Sequence, residues 1–181
     1  MTTTKVVTNK VRLSYAFLFE ARAPKENPDG EKKFSTSILI PKSDKETLDK
    51  IKAAQEAAIA AKWPGKRPAK VASTLHDGDG VKEKTGEPYG PECKGHYVMA
   101  VSSKLRPQVV DQNVNGILDS NGIQSGDYAR VSINAYAYDV SGNRGVSFGL
   151  GNVQLVSKGE PLGGSTRAQD DFTAVEDDFL N

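Results

Sequence analysis

Soft and reactive side chains are scarce in this chain: one cysteine, two histidines, two methionines and one tryptophan in 181 residues. Cys93 has no partner for a disulfide, so a framework of bridges is excluded and a reducing compartment, the cytoplasm, is expected. Nowhere do eighteen apolar residues run together, and the opening MTTTKVVTNKVRLSY has no apolar signal core, so neither membrane spanning nor secretion is expected. The nucleotide motifs are missing as well. There is no Gly-x-x-x-x-Gly-Lys-Ser/Thr run, and Gly149-x-Gly151 lacks a third glycine and a following helix. No Gly-x-Ser-x-Gly elbow occurs. Cys93, His96 and His76 fall in one segment, but a closed metal site needs a fourth ligand from Asp77 or Asp79, so no metal and no cofactor are expected. HDGDG lacks the later carboxylates of a calcium loop. An enzyme is therefore not expected; a metal-dependent nuclease built from Asp77, Asp79 and Glu83 stays open as an alternative with no motif in its favour.

Net charge is also small, +1 from 24 bases and 23 acids, yet it is unevenly placed. From Glu160 onward six acids face only Arg167, giving −5; the preceding 23 bases and 17 acids give +6. A basic body suits a polyanion. The closing QDDFTAVEDDFLN holds five acids, two phenylalanines and no base, a composition too charged to pack and too aromatic for a mere spacer. Asp170, Asp171, Phe172, Glu176, Asp177, Asp178 and Phe179 form two Asp-Asp-Phe copies, in which an exposed ring can anchor in a partner's pocket while the acids meet a basic rim. The same acids could instead do no more than keep the protein soluble.

Alternation at every second position predicts a strand over residues 5–19, with Val11, Leu13, Tyr15, Phe17 and Phe19 together on a face that reads as core. Pro28-Asp29-Gly30 supplies a turn, and KFSTSILIP the returning strand. Ser43 and Glu46 read as a capping box for one helix, with Leu48, Ile51, Ala54, Ala58 and Ile59 at helical spacing until Pro64-Gly65. Residues 76–95, rich in Gly, Pro and charge, read as a long mobile flap. HYVMAVSSK is a third strand, and PQVVDQNVNGIL a small hairpin turning at Asn115-Gly116. Beyond Val156 no period remains, and a disordered linker is expected. Five main strands with one inserted helix fit a mainly β fold, a small oligonucleotide-binding (OB-fold) barrel over residues 1–157, followed by a disordered acidic tail over 158–181.

The strand DYARVSINAYAYDV carries the functional signal. Val131, Ile133, Ala135 and Ala137 form a small apolar face, while Tyr128, Arg130, Asn134, Tyr136 and Tyr138 form the other. Across the turn, RGVSFGLGNVQLV returns with Val146, Phe148 and Leu150 inward and Gly145, Ser147 and Gly149 outward. Rings interleaved with cations, joined by Lys104, Arg106 and Arg144, can stack bases and neutralise phosphates together. The competing structural reading is that the tyrosines cover a helix or a dimer contact; a homo-oligomer stays open.

The segments KVRLSYAFLFEAR, FSTSILIPKSD, GHYVMAVSSKLRPQVVD and YARVSINAYAYDVSGNRGVSFGLGNVQLVSKGEPLGG, with the acidic end, resemble the single-stranded DNA-binding proteins of tailed bacteriophages over most of residues 5–181. The resemblance implies an oligonucleotide-binding fold and sequence-independent binding of single strands in phage DNA replication and recombination. It also implies recruitment of replication or recombination proteins through the tail. It places Lys104, Arg106, Arg130, Asn134, Tyr136 and Arg144 near the DNA path. One departure is that Phe179 is followed by Leu180 and Asn181, whereas related single-strand binders often end on Phe.

Overall fold

The structure, a computed structural model, describes residues 3–23, 27–82, 85–162 and 175. The expected tail residues Asp170, Asp171, Phe172, Glu176, Asp177, Asp178 and Phe179, and also Glu83, lie outside the described residues.

The described chain is mainly β with one α-helix. Strands β1 (Lys5–Val7), β2 (Val11–Arg22) and β3 (Lys33–Pro41) precede helix α1 (Lys45–Lys62). The short β4 (Ala72–Ser73) and β5 (Leu75–Asp77) follow, then β6 (His96–Ser103), β7 (Val109–Val110), β8 (Tyr128–Val140) and β9 (Asn143–Ser157). The long strands pair antiparallel as β2 with β3, β3 with β6 and β8 with β9. Val11 and Arg12 of β2 also pair with Ala129 and Tyr128 of β8. Between β6 and β9 there is one parallel pair, Ser102 with Gly149. Leu13, Leu18, Ile38, Ile40, Met99, Val101, Val131, Ile133 and Phe148 are buried in the space these strands enclose, and Leu48, Ile51, Ala54, Ala58 and Ile59 of α1 join the same cluster. The helix lies mainly against β8 and β1.

Several local features depart from the pattern of the sequence. The strand expected over residues 5–19 breaks at Asn9, because Asn9 turns to serve the helix: its backbone N–H donates to Thr47 Oγ1 at 3.1 Å and its amide to Asp44 Oδ1 at 3.1 Å. Asp44, not Ser43, is the N-cap, accepting from Thr47 N at 3.2 Å. Burial opposes its ionisation, but the bonds from Thr47 and Asn9 outweigh that and hold the carboxyl below its ordinary value. The small hairpin turns over residues 111–115, where Asp111 Oδ1 accepts from the backbone N–H of both Asn113 and Asn115 and Val114 takes φ 65°. Asp111 sets that turn, so Gly116 is free to pair with Val110.

The described residues of the segment 76–95, expected as a mobile flap, are tied down at both ends. β5 pairs with β6, and Gly78 N–H donates to His96 O at 2.8 Å. Lys42 Nζ lies 2.7 Å from Asp77 Oδ1 and 2.7 Å from Asp79 Oδ2. Its hydrogen bonds hold both carboxyls below their ordinary range and push its own ammonium up. This clamp is intact at neutral pH and is lost as pH falls through the lowered carboxylate values or rises through the raised ammonium value.

The largest departure is in β2. Ser14 pairs with Ser37 and Phe17 with Ser35, so β2 advances three residues while β3 advances two. The extra residue is a bulge, with Tyr15 at φ 49°. Before it Val11 and Leu13 point inward; after it Leu18 does. Tyr15 and Phe17, expected in the core with Val11 and Leu13, are therefore displaced from it: Tyr15 is 66% exposed and Phe17 is half-buried, whereas Phe19, beyond the bulge, is half-buried and still packs against the core cluster.

Two stability outcomes follow. Tyr15→Gly should leave unfolding free energy within about 1 kcal/mol, since relief of the left-handed backbone offsets glycine's entropy, whereas the β-branched Tyr15→Val should cost about 1–2 kcal/mol in urea unfolding. Asp127 is fully buried and accepts from Gln124 N at 2.9 Å, Lys158 Nζ at 2.6 Å and Gly159 N at 3.1 Å. Asp127→Ala strands these donors and should lower stability by about 2–4 kcal/mol in the same assay.

Candidate nucleic-acid interface

Strand register carries one row of residues across five of the long strands on the face opposite the core. Phe17 of β2 pairs with Ser35 of β3, Ser35 with Ser102 of β6, Ser102 with Gly149 of β9, Gly149 with Asn134 of β8, and Asn134 with Lys5 of β1. At about 4.8 Å between strands, the six positions span about 24 Å. Paired residues share a face, and the positions between them, Thr36, Val101, Phe148 and Ala135, are buried inward. Parallel rows add Ser37 with Ala100 and Ser147 with Tyr136. The floor is thus made of Ser, Ala and Gly. At Gly149 an added Cβ would find nothing closer than 3.8 Å, so the surface there is open backbone.

Rings and cations stand on both sides of this floor. On the β2 side, Arg22 lies over Phe17 at 4.4 Å and Arg106 over Phe19 at 5.6 Å from the ring centres. Arg106 and Phe19 line a cleft of about 360 Å³ together with Pro107, Ile117 and Leu118, the last 89% exposed. Lys104 Nζ is 3.2 Å from Glu31 Oε1. On the β8 side, Tyr136 is 46% exposed. Tyr138 lies over Gly145, where a Cβ would come within 2.4 Å of its hydroxyl. Arg144 Nε donates to Asp139 Oδ2 at 3.1 Å. Both ion pairs are solvent-exposed and weakly held, so a phosphate can displace either carboxylate at little cost.

The structure therefore brings Asn134, Tyr136, Tyr138 and Arg144 to one end of the strip, and Lys104 and Arg106 to the other. It does not bring Tyr128 and Arg130 to it. Tyr128 sits between Lys10 and Arg12, whose charges lie 5.3 and 5.6 Å from its ring centre. Arg130 donates from Nε to Thr8 O at 3.1 Å and faces a cleft beside α1. Eight residues separate Tyr128 from Tyr136, roughly 26 Å along the strand. The residues that the sequence did not offer for this surface are Tyr15, Phe17 and Phe19, hidden by the bulge, and the serines of β3 and β6. The signal available for the serines was their alternation in FSTS and VSS.

Among the described residues, the side chains that the sequence offers for metal or nuclease chemistry have other partners or are buried. Asp77 and Asp79 share Lys42, His96 Nδ1 lies 2.7 Å from Lys94 O, and Cys93 is buried, its thiol pushed up by that burial.

Comparison with known proteins gives the family and the fold. Protein p50 of Acyrthosiphon pisum secondary endosymbiont phage 1 is 31% identical over 190 residues, covering 97% of this chain and 98% of that protein. Among solved structures, the single-stranded DNA-binding protein from bacteriophage Enc34 in complex with ssDNA has the same fold, with TM-score 0.73 and 23% identity over 88% of this chain and 90% of that one. So does gp2.5, the single-stranded DNA-binding protein encoded by bacteriophage T7, with TM-score 0.60 and 15% identity over 92% of this chain and 99% of that one. The family described as Enterobacter phage Enc34, ssDNA-binding protein, matches residues 4–180, and the chain belongs to that family.

Proposed function

We propose that this protein binds single-stranded DNA without regard to base sequence, as a non-catalytic partner in phage DNA replication and recombination in the host cytoplasm. The observation that carries the reading is the small-residue strip from Phe17 to Lys5, open to solvent and bounded by rings and cations on both sides. A flat floor admits unpaired bases edge to edge, rings stack them and cations meet phosphates, while a duplex offers no free base faces to stack. The family match and the fold shared with phage single-strand binders support it. In this reading β2, β3, β6, β8 and β9 are the five strands of an oligonucleotide-binding barrel within residues 1–157. Residues 158–162, expected as linker, are held against the body by Asp127, Arg12 and Ser125; in this reading the linker and acidic tail comprise residues 163–181, which recruit replication or recombination proteins and compete with DNA for the basic body. Asn134, Tyr136, Tyr138, Arg144, Lys104 and Arg106 contact the strand along with Tyr15, Phe17 and Phe19; Tyr128 and Arg130 lie on a longer path around β8.

Filter binding of matched single-stranded and duplex oligomers at two salt concentrations tests the reading, and equal affinity for both would overturn it. Tyr15→Ala with Phe17→Ala should weaken single-strand binding by roughly 1–3 kcal/mol for each stacked base lost, with the fold retained by circular dichroism. Arg144→Ala should reduce the slope of log K against log salt by about 0.7, the value for one phosphate contact on a single strand. Deleting residues 170–181 should tighten binding at low salt and change little at high salt, where the tail is screened.

A further inference from the structure

The floor of small residues extends past the strip, toward the tip of the β8–β9 hairpin. β4 runs parallel to β9 with Ala72 beside Gly145, and Gly145 lies under Tyr138, so the row Tyr138, Gly145, Ala72 carries the floor onto a further strand. The chain arrives at β4 from α1 through KWPGKRPAKV. Between Ala57 and His76 it carries Lys62, Lys66, Arg67 and Lys70 and no acid, and all four cations are exposed. In a parallel ladder the residues before Ala72 run beside those before Gly145, which brings Lys70 toward Arg144.

Local structure fixes where the rest of this segment stands. α1 ends at Trp63, whose N–H donates to Ile59 O at 2.9 Å, and Lys66 N–H donates back to Trp63 O at 3.3 Å. Pro64 and Gly65, the latter at φ 71°, fill the middle of that turn, a combination that proline and glycine favour. Trp63, the single tryptophan of the chain, is therefore held half-buried: it packs against the core cluster, yet lines an open hollow of about 320 Å³ with Ala60, Lys66 and Arg67. A second hollow, of about 150 Å³, lies between Arg67 and Ala72. The two share Glu56, Ile59 and Arg67, so one groove leads from β4 to Trp63. Glu56 is the one acid among its described lining residues, and its exposed pair with Arg67 yields readily to a phosphate.

A rigid ring, a run of cations and a groove continuous with the strip share one ligand chemistry, that of unpaired bases joined by phosphates. We propose that Trp63 is a remote stacking platform: a single strand longer than the strip leaves it past Tyr138, follows Arg144, Lys70 and Arg67 beside β4, and lays a base on the Trp63 ring with Lys66 at the adjoining phosphate. The inference rests on the single-strand reading and adds to it a second stretch of path, filled only by strands long enough to reach it.

Because Trp63 is the only tryptophan, its emission reports on this position alone. Full-length protein is titrated with oligo-dT of about 4 and about 16 nucleotides, the two ends of the range covered by single oligonucleotide-binding folds. Anisotropy of the same oligomers carrying fluorescein records binding in parallel. The long oligomer should quench Trp63 emission, while the short one binds and leaves it unchanged. Lys66→Ala, Arg67→Ala and Lys70→Ala together should take about 2 from the slope of log K against log salt with the long oligomer, about 0.7 for each phosphate, and nothing with the short one. Unchanged emission with the long oligomer bound, equal quenching by both lengths, or an unaltered slope would overturn the platform and leave the strip in place. No anisotropy change with either oligomer would overturn the single-strand reading and this inference with it.

Discussion

The structure depends on the antiparallel ladder between β8 and β9, which runs from Tyr128 with Ser157 to Val140 with Asn143. A strand has a period of two, and these two strands keep it over most of their length, so one set of side chains is forced inward and the other outward. Inward go Val131, Ile133, Ala135, Val146 and Phe148, small enough at the alanines for α1 and the opposing strands to close on them. Outward go Asn134, Tyr136, Ser147 and Gly149. The same constraint that fills the core therefore lays out the open face, and neither can shift register without spoiling the other.

What the sequence made legible follows from that period. β8 and β9 were readable because sequence spacing and strand spacing coincide. Helix α1 was readable from its apolar positions, though its cap was not, because Asp44 gained its advantage from Asn9, thirty-five residues earlier in the chain. The bulge at Tyr15 was invisible for a related reason: an inserted residue leaves the sequence alternation intact and shows only against the partner strand, where Ser14 and Phe17 meet Ser37 and Ser35. One residue's backbone thus displaced Tyr15 and Phe17 from the expected core, while Phe19 kept its contact with it. Composition misled over residues 76–95, since glycine, proline and charge read as a free loop while Lys42, distant in sequence, holds two of its aspartates. At the site, alternation grouped Tyr128 and Arg130 with Tyr136, but a long curving strand separates residues that share a face.

Charge is partitioned along the chain as shape is partitioned across the sheet. The body's surplus of bases is spent lightly: Lys104, Arg144 and Lys50 each have an exposed acidic neighbour within about 3 Å, near enough to be ordered and weak enough to be exchanged. Such pairs hold cations in place without satisfying them fully. In the proposed reading phosphate exchanges with these carboxylates, and added salt weakens that association.

The single pair of Ser102 and Gly149 is the only pairing between β6 and β9, beside ladders many residues long. It is a seam, and the proposed strand of nucleic acid runs straight over it. A ligand resting on both banks would act as a stitch, so occupancy and mechanical integrity become two readings of one quantity: the bound molecule should be harder to pull apart, and a loosened seam should loosen its grip.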